Sequence, residues 1–290
     1  MCFAFYCVSL FCFLVRHAIK FSVCRKNIIS IKCYFSQLVN RLRFFSLFVI
    51  LKWGYNLAMI FENDDYLKFI SPTPKEAITV QKELAQKVIL KDEVGDVNYV
   101  AGVDVSCELF KPALAHHAAV VILSFPELEV VEQVSYSALV DFPYIPGLLA
   151  FREVPLIVKA LEKVKTKSDV ILVDGHGISH PRKLGIASHL GVLTNYATIG
   201  CAKSILVGEP CGVLQSEKGS FVPLKYKGET VGRVLRTKNN VSPIYVSIGH
   251  KISLEKACGI VLNCTTKYKL PEPIRAAHKY ANQVRREYGV

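Results

Sequence analysis

The 290-residue sequence is short of methionine, with only Met1 and Met59, and it has a single tryptophan, Trp53. None of its ten cysteines forms a Cys-x-x-Cys pair. That absence argues against a structural zinc site, and the scattered single cysteines at apolar or strand-like positions read as buried thiols of a reducing compartment rather than a disulfide framework. Long hydrophobic runs are missing too. Cys2–Val15 is almost wholly apolar but is only fourteen residues long, short of the roughly 20 needed to span a bilayer.

Acid is absent from residues 1–61, which hold eight Lys or Arg and no Asp or Glu before Glu62. The formal net charge of +12 therefore falls to +4 over the rest of the chain, where 28 basic face 24 acidic side chains. A mildly basic domain is compatible with a polyanionic partner and does not point to one. Residues 1–58 read as an apolar and basic extension. Its five serines and spaced cations suit a transit peptide or a membrane-surface anchor, while Met59 offers an alternative start. The expected domains are thus 1–58 and 59–290. The expected location is cytoplasmic, with organelle targeting or membrane association as the alternative if the extension is part of the protein.

From Thr73 the signals become orderly. Thr73-Pro74-Lys75-Glu76 is a capping box with proline at the first helical position, predicting a helix through Val80, Leu84 and Val88. Three β-rich runs follow, Tyr99–Cys107, Ala118–Phe125 and Val130–Leu139, spaced as an antiparallel meander. After the Pro/Gly-rich stretch Asp141–Gly147, a helix is predicted from Arg152 to Lys163. Asp169–Asp174 is a short apolar strand, Ile186–Asn195 a helix, and another strand runs into Gly200-Cys201-Ala202-Lys203. Thr230–Arg236 and Ile244–Ser247 read as strands, Ser253–Leu262 and Glu272–Tyr288 as helices. The pattern predicts one α/β domain, a mixed sheet of three antiparallel strands followed by parallel ones, flanked by helices.

Three acids stand out on core elements. Alternation along Tyr99–Ser106 puts Gly102, Asp104 and Ser106 on one face of the strand. Asp174 closes the apolar run Val170–Val173, at the carboxyl end where ligand sites in such sheets gather. Glu153 opens the helix after the Pro/Gly stretch. Taken singly, each could form a salt bridge with Arg152 or Arg182. Taken together, with oxygen ligands and no Cys/His set, they fit a hard cation such as Mg²⁺ or Mn²⁺, which can activate water against a phosphate.

Gly102-Val103-Asp104-Val105-Ser106, Phe142-Pro143-Tyr144-Ile145-Pro146-Gly147 through Phe151-Arg152-Glu153, and Asp174-Gly175-His176-Gly177 resemble, in order, the endonuclease V family. The likeness continues through His180-Pro181-Arg182, Gly185-Ile186-Ala187, His189-Leu190-Gly191, Gly200-Cys201-Ala202-Lys203-Ser204, Ser247-Ile248-Gly249-His250 and Leu270-Pro271-Glu272-Pro273-Ile274-Arg275, and covers roughly residues 70–288. It implies a ribonuclease-H-like fold. It also implies a metal-dependent endonuclease on single- or double-stranded nucleic acid containing deaminated bases, with Asp104, Glu153, Asp174 and His278 as ligands of Mg²⁺, for which Mn²⁺ substitutes. On its own, His278 would be a solvated helix histidine. Lys203 resembles the family lysine near the phosphate; the plain alternative is a surface lysine.

Tyr144, braced by Pro143 and Pro146 and followed by Ile145, resembles the family's wedge, which enters the base stack where a base has been extruded. Outside that motif it would read as a packed tyrosine. Leu149, Gly175, Gly185, Ile186 and Ala202 fall where the family builds its base pocket largely from main chain, whose donors and acceptors can tell hypoxanthine from adenine. His180 reads as positioning phosphate or packing behind the site, and His250 as structural. The implied reaction cuts the second phosphodiester 3′ to the lesion, leaving a 3′-hydroxyl and a 5′-phosphate, in DNA repair or inosine-RNA processing. The rival readings are a ribonuclease-H-like nuclease of other specificity and a non-catalytic inosine-binding module. No obligatory protein partner is implied, and a monomer is expected.

Overall fold

The computed structural model describes residues 73–107, 115–140 and 142–288; the expectations for residues 1–58 lie outside them. Helix α1 spans Pro74–Ala85, and the expected capping box is formed, with Thr73 N–H donating to Glu76 Oε2 at 2.7 Å and Glu76 N–H to Thr73 Oγ1 at 3.4 Å. The meander follows as β1 (Tyr99–Cys107), β2 (Ala115–Ser124) and β3 (Val130–Leu139), paired antiparallel. Next come α2 (Ala150–Leu161), β4 (Val170–Val173), α3 (Ile186–Thr194) and β5 (Ala197–Ala202). The chain then adds β6 (Glu209–Pro210), β7 (Phe221–Tyr226), β8 (Glu229–Leu235), β9 (Ile244–His250), α4 (Leu254–Asn263) and α5 (Glu272–Tyr288).

Among the described residues these strands form one nine-stranded sheet in the order β3-β2-β1-β4-β5-β9-β8-β7-β6. The mixed architecture is the expected one, but parallel pairing is confined to β1–β4 and β4–β5, and everything beyond β5 is antiparallel. Two strands were not anticipated. The run Phe221–Tyr226 contains Pro223, which cannot donate to a ladder and so argues against a strand, and β6 is two residues long. Helix α2 starts two residues before the predicted Arg152, because Leu149 already has helical angles (φ −53°, ψ −36°) without any side-chain cap to advertise the start. Glu153 consequently sits within the first turn rather than at its opening.

Alternation along β1 divides the core. Ala101 and Val103 join Val120, Ile122, Ile171 and Val173 under α2 and α3, whereas Val100, Val121, Leu172 and Ile199 face Ile260, Ile274 and Ala277 of α4 and α5. Gly102 is required where α5 begins, since a Cβ there would lie 1.9 Å from the Pro273 carbonyl oxygen. That close approach lays α5 along β1. Cys201, Cys258 and Cys264 are buried free thiols, as the composition suggested, but Cys211 is exposed, because its loop lies outside the packed layers. No helix among the described residues is long and apolar enough to cross a membrane.

Candidate active site

The second-residue spacing of β1 is matched on α5. Gly102 meets Pro273, Asp104 Oδ2 lies 2.7 Å from His278 Nδ1, and Ser106 Oγ donates to Asn282 Oδ1 at 2.9 Å. The Asn282 amide faces the His278 carbonyl at 2.9 Å, so its nitrogen must be on that side, and the same NH₂ reaches His278 Nε2 at 3.0 Å. Nε2 is therefore the acceptor and Nδ1 carries the proton given to Asp104. The His278 side chain is 59% exposed and that of Asp104 14%.

Asp174, just past the end of β4, has its carboxylate 2.5 Å from Lys203 Nζ, just past the end of β5. Glu153 reaches the same region from α2. Burial first, then the charges of Asp104 and Asp174, push its carboxyl up to about 8. Asp104 is raised by burial, with His278 opposing and Asp174 adding to the shift. The structure thus brings the three predicted acids into one electrostatically coupled group, with Lys203 and His278 each placing an N–H on a different carboxylate.

Three neighbouring acids, of which Asp104 and Glu153 are buried deeply enough to resist ionisation, are a donor set that a hard cation would relieve. They are not gathered as a closed ligand shell: among the described residues no three His, Cys, Asp or Glu side chains are already so arranged. The chemistry of the donors fits a divalent ion, and the side chains would have to turn from Lys203 and His278 to enclose one.

Beside the acids is a cavity of about 300 Å³. Its wall includes Tyr144, Ile145, Leu149, Gly175, His180, Gly185 and Ile186, so seven of the nine residues expected to bind substrate share one space, four of the five expected at the base pocket among them. Pro143 and Ala202 do not line it; Pro146 and Gly147 do, and Ala202 is buried in β5. Tyr144 is 69% exposed at the rim, not packed in the core. Its loop is held at both ends: Arg152 Nη1 donates to the Phe142 carbonyl at 2.9 Å, and the Gly147 carbonyl collects Gln81, His180 and Arg182. Gly147 itself has φ +79°, a left-handed conformation that favours glycine.

Sequence reasoning missed Gln81, His176, Leu184, Ser204 and Leu206, which also line the cavity. His176 Nδ1 is buried without a hydrogen-bond partner, and burial holds its imidazole below the usual histidine range. The position between Gly175 and Gly177 was the available signal. His180 is pushed down to about 4, by burial and then Arg182, and is neutral at physiological pH. His250 accepts from the Ile89 N–H through Nδ1 at 3.1 Å, away from the cavity lining, in keeping with a structural part.

Comparison with known proteins places the chain in a family. The family model for Endonuclease V matches residues 82–279. An Endonuclease V of Rippkaea orientalis is 55% identical over 209 residues, covering 72% of this chain and 90% of the relative. That of Gloeobacter violaceus is 52% identical over 214 residues, covering 74% and 87%. Among solved structures, the Streptomyces avermitilis Endonuclease V superposes with a TM-score of 0.72 at 38% identity, covering 76% of this chain and 99% of that one. The Ciona intestinalis enzyme, in complex with a DNA containing an inosine followed by a ribo-adenosine, gives 0.67 at 34%, covering 74% and 98%. The chain belongs to the Endonuclease V family and is an endonuclease.

Proposed function

We propose that the protein cleaves nucleic acid strands containing deaminated bases, hypoxanthine above all, at the second phosphodiester bond 3′ to the lesion. The products are a 3′-hydroxyl and a 5′-phosphate. The observation that carries the proposal is the coupled group Asp104, Glu153 and Asp174 beside a cavity rimmed by an exposed, doubly tethered Tyr144. The Ciona relative's inosine-containing DNA supports the same base class. Activity resides in the chain from Met59 onward, and residues 1–58 are an extension.

Asp104, Glu153, Asp174 and His278 would hold Mg²⁺, with Mn²⁺ as a substitute. When bound, such an ion acidifies a water molecule and offsets charge developing on the phosphate. Lys203 neutralises a phosphate oxygen as a compact cation. Tyr144 fills the gap left in the stack by the extruded base, which the cavity receives. Gly175, Gly185 and the adjoining backbone approach the base edge, where N–H and C=O groups distinguish a 6-keto from a 6-amino purine.

The test is cleavage of matched strands carrying inosine or adenosine, in DNA and RNA, with and without Mg²⁺. A single cut displaced by one nucleotide on the 3′ side, dependent on both inosine and metal, is expected. Equal cutting of the adenosine strand would overturn the base assignment, and cutting in chelator would overturn the metal assignment.

A further inference from the structure

A second cavity, of about 420 Å³, lies outside the carboxylate site and is lined by Lys238, Lys267, Lys269, Arg275 and Tyr268, with no acid among its lining residues. Its walls come from the β8–β9 connection and the segment that leads into α5. Backbone ties hold them together: Thr237 Oγ1 donates to the Lys269 carbonyl at 2.7 Å, and Lys238 Nζ to the Lys267 carbonyl at 2.6 Å. Lys269 Nζ contacts Ser242 Oγ at 2.8 Å. Each ammonium has three donors, so these bonds position Lys238 and Lys269 while leaving donors for a ligand. The Arg275 guanidinium lies 3.3 Å from the centroid of the Tyr268 ring, which is still 48% exposed. Glu272 offsets one charge through Arg275, at 3.2 Å. Among the described residues, the other cations have no carboxylate partner that would explain their convergence.

The cleft lies toward the same end of the sheet as the reaction centre. Arg275 precedes His278 by three residues of α5, or about 4.5 Å of helix rise, on neighbouring faces. Leu235 at the end of β8 and Ala202 at the end of β5 pair with consecutive residues of β9, Ile244 and Tyr245. The connection carrying Lys238 therefore leaves the same end of the sheet as Lys203.

We propose that this cleft is a second nucleic-acid contact, gripping the phosphates of a strand that flanks the cleaved segment. Its chemistry selects the ligand class. A groove of cations around an aromatic face suits single-stranded nucleic acid, which offers both phosphates and bases, better than a polyanion without rings. The proposal rests on the nucleic-acid reading above, but its test is separable from it.

The experiment compares the full chain with a K267A/K269A variant, both substitutions being of side chains on an exposed loop whose backbone ties remain. Binding is measured in chelator with a long inosine-containing single strand and with a short one that spans only the lesion and the cut. For the long strand, the variant is expected to bind roughly tenfold more weakly at low salt, with a log–log salt slope shallower by about 1.4, since each phosphate contact contributes about 0.7 on single strands. The short strand should bind, and with Mg²⁺ be cut, as in the parent. Unchanged long-strand affinity and slope would overturn the proposal. Equal loss on both strands would overturn it as well, because the contact would then belong to the reaction centre. If the parent fails to distinguish inosine from adenosine, the base assignment falls, while a lysine-dependent slope still upholds the cleft.

Discussion

Gln81 Nε2 donates to the Gly147 carbonyl at 2.9 Å, fastening α1 to the end of the loop that carries Tyr144. Arg182 Nη2 reaches the same oxygen at 2.8 Å and His180 Nε2 at 3.1 Å, while Gln81 Oε1 accepts from Arg182 Nε. His180 Nδ1 accepts from the Arg182 N–H at 3.2 Å, so Nε2 carries the proton that the carbonyl receives. Gln81, only 1% exposed, is thus the hub of a buried polar clamp.

Replacing Gln81 with leucine, of similar size, leaves Arg182 Nε without its acceptor. The stability loss should be about 1–3 kcal/mol, the usual cost of stranding a buried polar group. If the clamp serves the wedge, the variant should lose about tenfold in cleavage of inosine-containing duplex, and the loss should largely disappear in a Tyr144→Ala background, since coupled residues are not additive. Denaturant unfolding and a double-mutant cycle on kcat/KM check both. Full additivity would separate Gln81 from the wedge.

The acids make a prediction about metal and pH together. Glu153 is raised from 4.5 to about 8 in the folded protein. Its folded form therefore holds a proton that the unfolded chain has released above 4.5. Its contribution to stability is present below that value and is lost as pH rises through 8. Glu153→Gln should consequently raise the melting temperature of the chelator-treated protein, most at pH 8 and above, while abolishing the stabilisation that Mg²⁺ gives the parent. Asp174→Ala should lower cleavage by at least about a thousandfold with strand binding in chelator retained. Melting curves with and without Mg²⁺ test the first statement and single-turnover cleavage the second.

Buried histidines should weaken the fold in acid. His189 is pushed down to about 3 and His250 to about 4, burial being the leading cause in both. Each stays neutral when folded while the unfolded imidazole takes up a proton near 6.5. Their contribution to stability is therefore fully present above 6.5 and is lost as pH falls toward 4. At pH 5 the cost is about 2 kcal/mol per histidine. His250→Asn keeps an acceptor for the Ile89 N–H but cannot titrate, so its urea midpoint should change less between pH 7.5 and 5 than the parent's. An equal change would remove His250 from the acid transition.

Much of this was legible because it is local. The Thr73–Glu76 box announces α1, and the two-residue period of β1 places Gly102, Asp104 and Ser106 on one face, where α5 meets all three. The acids could be read because a carboxylate in an apolar strand needs a reason. What escaped depends on long-range partners. Gln81 looks like any polar helix residue until Gly147 and Leu184, 66 and 103 residues away, are brought to it. Phe221–Tyr226 becomes a strand only because pairing with β8 tolerates Pro223. The basic cleft joins the β8–β9 connection to the segment entering α5, and no spacing along the chain predicts that meeting.

Tyr144 offers the sharpest separation of base extrusion from chemistry. It is exposed at the cavity rim and its loop is tethered from both sides, so its ring is free to enter a stack without disturbing the core. A wedge matters where a base must be withdrawn from a paired duplex, which costs a few kcal/mol, and matters little where the strand is already single. Tyr144→Ala should therefore reduce cleavage of inosine-containing duplex by about ten- to a hundredfold, the equivalent of about 1.4–2.7 kcal/mol. On the matching single strand the reduction should stay within about threefold, and Tyr144→Phe, which keeps the ring, should remain near the parent on both. Single-turnover rates on the two substrates provide the measurement. Equal losses on duplex and single strand would make Tyr144 a wall of the pocket rather than a wedge, and a large loss in Tyr144→Phe would shift the role from the ring to its hydroxyl.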